Sequence, residues 1–206
     1  MPQIVARMSV PNFTMEVYNH PFVLQNYQLA DKLIEYCKSQ NLLNHEWKDY
    51  NIFKSEDPSI KKVAQQIHME VSQFNENAFK RKDLWINGWF NILECHDSIK
   101  PHFHSAEKYS YFSGNICLGD YNTKTIFYPP WGDRTGHTIE MENKKGYGMF
   151  FPSWLWHEVP TSLEDIRYTL AFDIHTQDGM DDYWQNQHDK DPAPIQRSVK
   201  LYEIYS

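Results

Sequence analysis

Two hydrophobic spacings divide the chain. Between residues 24 and 43, apolar side chains at Leu29, Leu33, Ile34 and Cys37 recur every three or four positions, and Ile60, Val63, Ala64, Ile67, Val71 and Phe74 form a second such stripe. That period predicts two amphipathic helices, each with one face to bury. Ser55-Glu56-Asp57-Pro58 marks the start of the second, with Asp57 placed to cap and Pro58 tolerated in the first turn. Ahead of both, residues 4–17 are mixed in character and interrupted by Pro11, which predicts an edge strand or extended arm.

After Lys82 the period shortens. Leu84, Trp85, Ile86, Trp89, Phe90, Ile92 and Leu93 stand in a segment rich in β-formers, and further strand candidates are 109–118, 123–128, 138–141, 147–151, 157–159 and 167–175. Asn87-Gly88 reads as a bulge or turn, Gly146 and Gly148 as turn and close-packing positions. Two helices followed by many short strands predict a mainly β protein, a sandwich or jelly roll with both helices packed outside. Residues 176–197 are polar, contain Pro192 and Pro194, and predict a loop or tail with one helical turn. Trp184 and the closing Leu201-Tyr202-Glu203-Ile204-Tyr205 are expected to dock on the domain or on a partner subunit. One domain, 1–206, accommodates all of this as a helical N-terminal part (20–82), a β core (83–175) and a C-terminal tail (176–206).

Composition narrows the class. A hydrophobic fraction of 41% with 16% aromatics describes a folded globule. A net charge of −7 disfavours a nucleic-acid substrate, since such binding relies on clustered Lys and Arg; Lys61-Lys62, Arg81-Lys82 and Lys144-Lys145 are isolated pairs. Cys37, Cys95 and Cys117 are an odd set without CxxC spacing, which predicts reduced thiols acting as small buried hydrophobes. The first residues lack a basic stretch followed by a long apolar core, and no run reaches membrane-spanning length, so a soluble cytoplasmic protein without membrane partners is expected.

The chemistry gathers at Lys100-Pro101-His102-Phe103-His104-Ser105. Alternate residues of an extended segment share a face, so His102 and His104 can present two imidazoles to one ion while Phe103 points away. A bare His-X-His is common by chance and a lone histidine is more often simply hydrogen-bonded; the downstream sequence raises its weight. Phe151-Pro152-Ser153-Trp154-Leu155-Trp156-His157 ends in a third histidine, and Arg167-Tyr168-Thr169 follows ten residues later. That interval lets the chain leave one strand and return on its neighbour, setting a cation beside the histidines. His68, on the second helix, has no partner at ligand spacing and reads as structural.

The ordered series Trp89-Phe90-Asn91, His102-Phe103-His104, Ser113-Gly114, Phe151 to His157 and Arg167 resembles the iron(II)- and 2-oxoglutarate-dependent oxygenases of bacteria and their phages, over about residues 85–175. The resemblance implies a double-stranded β-helix with His102 and His157 as metal ligands and Arg167 as the partner of the remote carboxylate of 2-oxoglutarate. Thr169, two positions on, shares the face of Arg167 and is placed to join it. Iron(II), 2-oxoglutarate and O2 would then be the cofactor set, with succinate and carbon dioxide released as an unidentified substrate is hydroxylated. A phage-encoded member would work in the host cytoplasm.

The wider superfamily carries a carboxylate two residues after the first histidine, and His104 stands there. By spacing His104 is the third ligand; Asp97 or Glu94 is the alternative, with His104 then outside the coordination sphere. Asn115 and Tyr111 are candidates to hydrogen-bond the cosubstrate, and Trp89, Asn91, Tyr128 and Trp154 to line a substrate pocket, against core packing as the ordinary role of such aromatics. Two other functions fit the same residues: a cupin-like three-histidine dioxygenase or isomerase that does not use 2-oxoglutarate, and a non-catalytic barrel. Substrate identity and oligomeric state are not encoded in any of these motifs.

Overall fold

A computed structural model of the chain describes residues 3–10, 13–45, 50–74, 83–104, 110–129, 138–161, 166–186 and 197–206. The residues 4–17 expected as one arm fall in two antiparallel strands, β1 (Gln3–Val10) and β2 (Phe13–Val23), paired from Gln3 with Asn19 to Val10 with Phe13. The first helix, α1 (Gln28–Ser39), is shorter than its hydrophobic stretch; the chain leaves it through Asn41, whose φ of 54° is left-handed, into η1 (Leu42–Asn44). α2 (Pro58–Phe74) begins where expected. Asp57 Oδ1 accepts the Ser59 N–H at 2.7 Å, satisfying one of the free amides of the first turn. Between the helices lies η2 (Ile52–Lys54).

Eight strands follow in order: β3 (Leu84–Glu94), β4 (Ile99–His102), β5 (Ser110–Cys117), β6 (Lys124–Tyr128), β7 (Ile139–Glu142), β8 (Tyr147–Phe151), β9 (Trp156–Val159) and β10 (Ile166–Thr176). β3 runs unbroken through Asn87-Gly88, where a turn or bulge was expected. Gly88 serves close approach instead: a Cβ there would lie 2.3 Å from the ring of Phe53. The tail also departs from expectation, since α3 (Gln177–Asn186) is a helix of 10 residues. Thr176 Oγ1 accepts the Gly179 N–H at 3.1 Å and Met180 is buried, so a cap and one apolar anchor hold a helix that its polar composition hides. β11 (Val199–Lys200) and η3 (Leu201–Ile204) close the chain, with Leu201 and Ile204 docked on the core as predicted. The side chain of Trp184 and residues Pro192 and Pro194 lie outside the described set.

The strands form two antiparallel sheets, one of seven in the order β1-β2-β8-β5-β10-β3-β11 and one of four in the order β4-β9-β6-β7. The larger sheet has two different faces. Toward α1 and α2 it turns Phe90, Ile116, Phe150, Leu170, Phe172 and Ile174, which merge with Leu33, Val63, Ile67 and Val71 into the main core. Toward the smaller sheet it turns Met149 and Phe151, which pack with Phe127, Met141 and Leu155 into a second, smaller cluster. Cys37 and Cys117 are buried free thiols, but Cys95 is exposed, because it occupies the turn after β3 and not a strand. Among the described residues no helix is long and apolar enough to cross a membrane.

Candidate metal centre

Pairing of β4 with β9 sets His102 directly opposite His157. Past the end of β4 the chain bends, and the His104 N–H donates to the Ser153 carbonyl at 2.9 Å, which fixes the second half of His-X-His over the same spot. Ring centroids are 4.3 Å apart for His102 and His157, 5.1 Å for His104 and His157, and 5.5 Å for His102 and His104. One ligand atom from each lies within 4.8 Å of the other two. An ion held about 2.1 Å from each nitrogen needs only small ring movements to sit among them.

The hydrogen bonds behind the rings decide which nitrogens are free. Nδ1 of His102 lies 2.9 Å from the Lys100 carbonyl, Nδ1 of His157 3.0 Å from the Leu155 carbonyl, and Nδ1 of His104 2.6 Å from Oδ1 of Asp173. Carbonyl and carboxylate oxygens only accept, so each Nδ1 carries the proton and each Nε2 keeps a lone pair. Burial keeps the His157 and His102 rings neutral. It pushes the His157 pKa down to about 3, with His104 and His102 adding to the effect, and the rings of Phe151 and Phe127 wall this imidazole at 4.8 and 5.7 Å. His102 is lowered as well, again first by burial. Burial works against ionisation of Asp173, but His104, His175 and the hydroxyl of Ser113 outweigh it and hold this carboxyl below its ordinary range.

β10 lays a row of side chains along the inner face of the larger sheet. Period two places Arg167, Thr169, Ala171, Asp173 and His175 on that face, with Leu170, Phe172 and Ile174 on the other. Register supplies their neighbours: Thr169 lies between Asn91 and Cys117, Ala171 between Trp89 and Asn115, Asp173 between Asn87 and Ser113. Arg167 is 1% exposed. Its Nη2 donates to Asn143 Oδ1 at 3.2 Å, while Nε and Nη1 meet no hydrogen-bond partner and, among the described residues, no carboxylate pairs with it. Asn115 Oδ1 and both amide atoms of the fully buried Asn87 are likewise without partners. Unpaired buried donors and a buried guanidinium are costly, so such a face is suited to a polar, anionic ligand.

Trp89 and Asn91 come together beside the histidines, the Trp89 indole N–H donating to Asn91 Oδ1 at 3.0 Å and its ring lying 5.5 Å from His104. Trp154 packs on the inner apolar cluster. Tyr128 alternates with the buried Phe127 and so points off the other face of β6, where its hydroxyl donates to Glu158. Tyr111 is in β5 with its side chain outside the described set. Glu94 and Asp97 are exposed, and Asp97 Oδ2 accepts the Glu94 N–H at 3.1 Å; neither joins the histidines. His68 contacts the Tyr205 hydroxyl on the helix side. β9 and β10 were expected as neighbours, yet His157 and Arg167 stand in opposite sheets, because the chain crosses between sheets after Val159. Arg167 precedes Asp173 by six residues, about 20 Å along the strand, so it stands at the other end of the row from the carboxylate that meets His104. Asp173 was not singled out in the sequence, although the step that links Arg167 to Thr169 reaches it after two more strides.

No protein-family model matches the sequence, and no curated protein does. Solved structures do match. A prolyl-4-hydroxylase from Pseudomonas putida superposes with a TM-score of 0.61 at 12% identity, over 77% of this chain and 88% of that one. A viral collagen prolyl hydroxylase from Paramecium Bursaria Chlorella virus-1, solved with 2-oxoglutarate, gives 0.57 at 13% identity over 77% and 95%. The epimerase SnoN of nogalamycin biosynthesis, solved with Fe3+, alpha ketoglutarate and nogalamycin RO, gives 0.57 at 14% identity over 78% of each chain. The chain has the double-stranded β-helix fold. At these identities the likeness concerns the fold, and the chemistry has to be read from the residues. In this double-stranded β-helix the histidines cluster between the two sheets, and three neutral imidazole Nε2 atoms form a donor set that could hold iron(II). The orphaned N–H groups of Arg167 equally suit a carboxylate.

Proposed function

We propose that the chain, acting as one domain over residues 1–206, is an iron(II)- and 2-oxoglutarate-dependent dioxygenase that hydroxylates a substrate of unknown identity. His102, His104 and His157 are the ligands, through Nε2. Arg167, with Thr169 beside it, anchors the remote carboxylate of 2-oxoglutarate; Asn115, on the same inner face, hydrogen-bonds the cosubstrate, and Trp89 and Asn91 line the substrate side. When bound, iron(II), 2-oxoglutarate and O2 supply oxidative decarboxylation coupled to oxidation of a C–H bond, with succinate and carbon dioxide as by-products.

The protein's part is positioning and exclusion. The two backbone carbonyls and Asp173 hold each imidazole in the tautomer that coordinates. Phe127, Phe151 and Leu155 keep water from the back of His157. Arg167 matches an anion in charge and in bidentate geometry, and its lack of any carboxylate partner among the described residues is the observation that carries the assignment. A cupin-like centre that ignores 2-oxoglutarate accounts for the three histidines but leaves this guanidinium without a purpose.

Anaerobic calorimetric titration with 2-oxoglutarate tests the assignment. Binding is expected only when iron(II) or manganese(II) is present, and is expected to be lost in Arg167→Ala, as is succinate release in air. Metal-independent binding, or equal binding by the variant, discards the role of Arg167.

A further inference from the structure

Three neutral imidazoles give a divalent ion lone pairs but no charge. Among the described residues, the carboxylate in contact with this cluster is Asp173, whose Oδ1 lies 2.6 Å from His104 Nδ1. We infer that Asp173 supplies the metal centre with its negative charge from behind His104, acting as the positioning residue that makes this imidazole the strongest donor of the three. The inference rests on the metal centre proposed above.

Asp173 is held as tightly as the ring it holds. The Ser113 hydroxyl donates to the same Oδ1 at 2.6 Å and lies 2.8 Å from Ser153 Oγ, while the carbonyl of Ser153 accepts the His104 N–H at 2.9 Å. His104, Asp173, Ser113 and Ser153 therefore close a ring of hydrogen bonds that spans both sheets and fixes His104 by backbone and side chain together. The other two ligands lack this. His102 and His157 are backed by neutral carbonyls, so among the described residues it is His104 whose Nδ1–H is accepted by an anion, which polarises the imidazole and raises its donor strength. The cross-strand neighbours of Asp173 are Asn87 and Ser113, and His175 lies two residues on along the same face.

Cobalt(II) is a suitable probe, because it is stable in air and its visible absorption reports coordination. Affinity is measured by titration and chelator competition for the wild type, His157→Ala, Asp173→Asn, Asp173→Ala, His104→Asp and the double variant His104→Asp/Asp173→Asn, with folding checked by circular dichroism. Asp173→Ala is expected to lose about 10- to 100-fold in affinity. Asp173→Asn, which keeps an accepting oxygen without the charge, is expected to lose a smaller but measurable share and to alter the cobalt spectrum. His104→Asp alone crowds two carboxylates and binds weakly; adding Asp173→Asn removes the crowding and restores affinity to within about threefold of wild type. If Asp173→Ala does not fold, Asp173→Asn and the double variant decide. Wild-type affinity in a folded Asp173→Asn, or no recovery in the double variant, overturns the inference and leaves the centre intact. Absence of cobalt binding by the wild type, or indifference to His157→Ala, removes the centre itself and this inference with it.

Discussion

The two faces of the larger sheet solve opposite problems with the same strands. On the helix side β10 offers Leu170, Phe172 and Ile174, all fully buried, and they join a hydrophobic cluster bordered by tyrosine rings. On the inner side the same strand offers Arg167, Thr169, Asp173 and His175, and unpartnered polar atoms accumulate at Arg167, Asn87 and Asn115. An apolar face gains free energy as it closes, whereas an inner face that holds orphaned donors and acceptors loses it until something polar arrives. Stability and binding are thus separated by a single residue step along one strand. Mutations at neighbouring positions should have effects of different kinds.

The largest effect expected tests the inner face. His157→Ala should reduce metal-dependent succinate formation by more than the 10- to 100-fold typical of losing an outer partner of a ligand, and cobalt(II) should no longer titrate. Denaturant unfolding of the metal-free variant should show a smaller loss than Phe172→Ala, since the lost ring is polar on one edge and its desolvation offsets part of its packing. A collapse of the fold in this variant breaks the comparison.

Phe172→Ala is the converse. Its ring fills the space over Gly114, where a Cβ would lie 2.3 Å from Phe172 Cζ, and it meets Phe150 at a centroid distance of 5.5 Å. Truncation should cost about 3–5 kcal/mol of unfolding free energy, read by urea titration, while metal affinity in the folded fraction stays close to wild type. Loss of metal binding without loss of stability contradicts the division.

Acid separates the faces by charge. His157 has a folded-state pKa of about 3, below the ordinary 6.5 of histidine, so the unfolded chain takes up the proton first. Stability of the metal-free protein is therefore complete above pH about 6.5 and declines as pH falls toward 3, by a few kcal/mol at most. His102 adds in the same direction. So does His68 on α2, which burial also lowers, and the difference between wild type and His157→Leu isolates the share of His157. Thermal or urea unfolding across that range should show a shallower pH slope in the variant; an unchanged slope places the titration elsewhere.

How much of this was legible beforehand follows from the same two faces. The capping signal at Asp57-Pro58 located the start of α2, and the pattern of β-formers located β3 and most of the core strands after it, because burial on the helix side writes itself into sequence as hydrophobic repeat. The residues of β1 and β2 read as one arm, and β4 and β11 are not among the strand candidates. His102, His104 and His157 could be paired by spacing and motif. The sheet membership of β9 and β10 could not, since a ten-residue interval is equally consistent with a hairpin and with a crossing between sheets. Asp173 was hidden for another reason. A lone acid within an apolar strand has no local signature of its partner, and His104 lies 69 residues away in sequence. α3 was obscured by its polar composition, which only the Thr176 cap and the burial of Met180 offset.

The smallest effect has the most diagnostic sign. Arg167 carries two unpartnered buried nitrogens, and burial already pulls its pKa below the ordinary arginine value. Arg167→Met keeps the length of the side chain and removes the charge. Arg167 also lies against the Cys117 thiol, and its partner Asn143 Oδ1 still accepts from the Thr125 hydroxyl at 3.2 Å, so the amide oxygen is not orphaned. If the guanidinium were structural, this substitution should destabilise the fold as the loss of a buried polar anchor does. If it is held ready for an anion, the variant should be as stable as wild type or more stable by about 1 kcal/mol, and should no longer gain stability from added 2-oxoglutarate in the presence of metal. Paired urea titrations, with and without the dicarboxylate, read both quantities, because only a ligand that binds the folded state moves the midpoint. A destabilised variant that still responds to 2-oxoglutarate assigns Arg167 to the scaffold and moves the anion site to another part of the inner face.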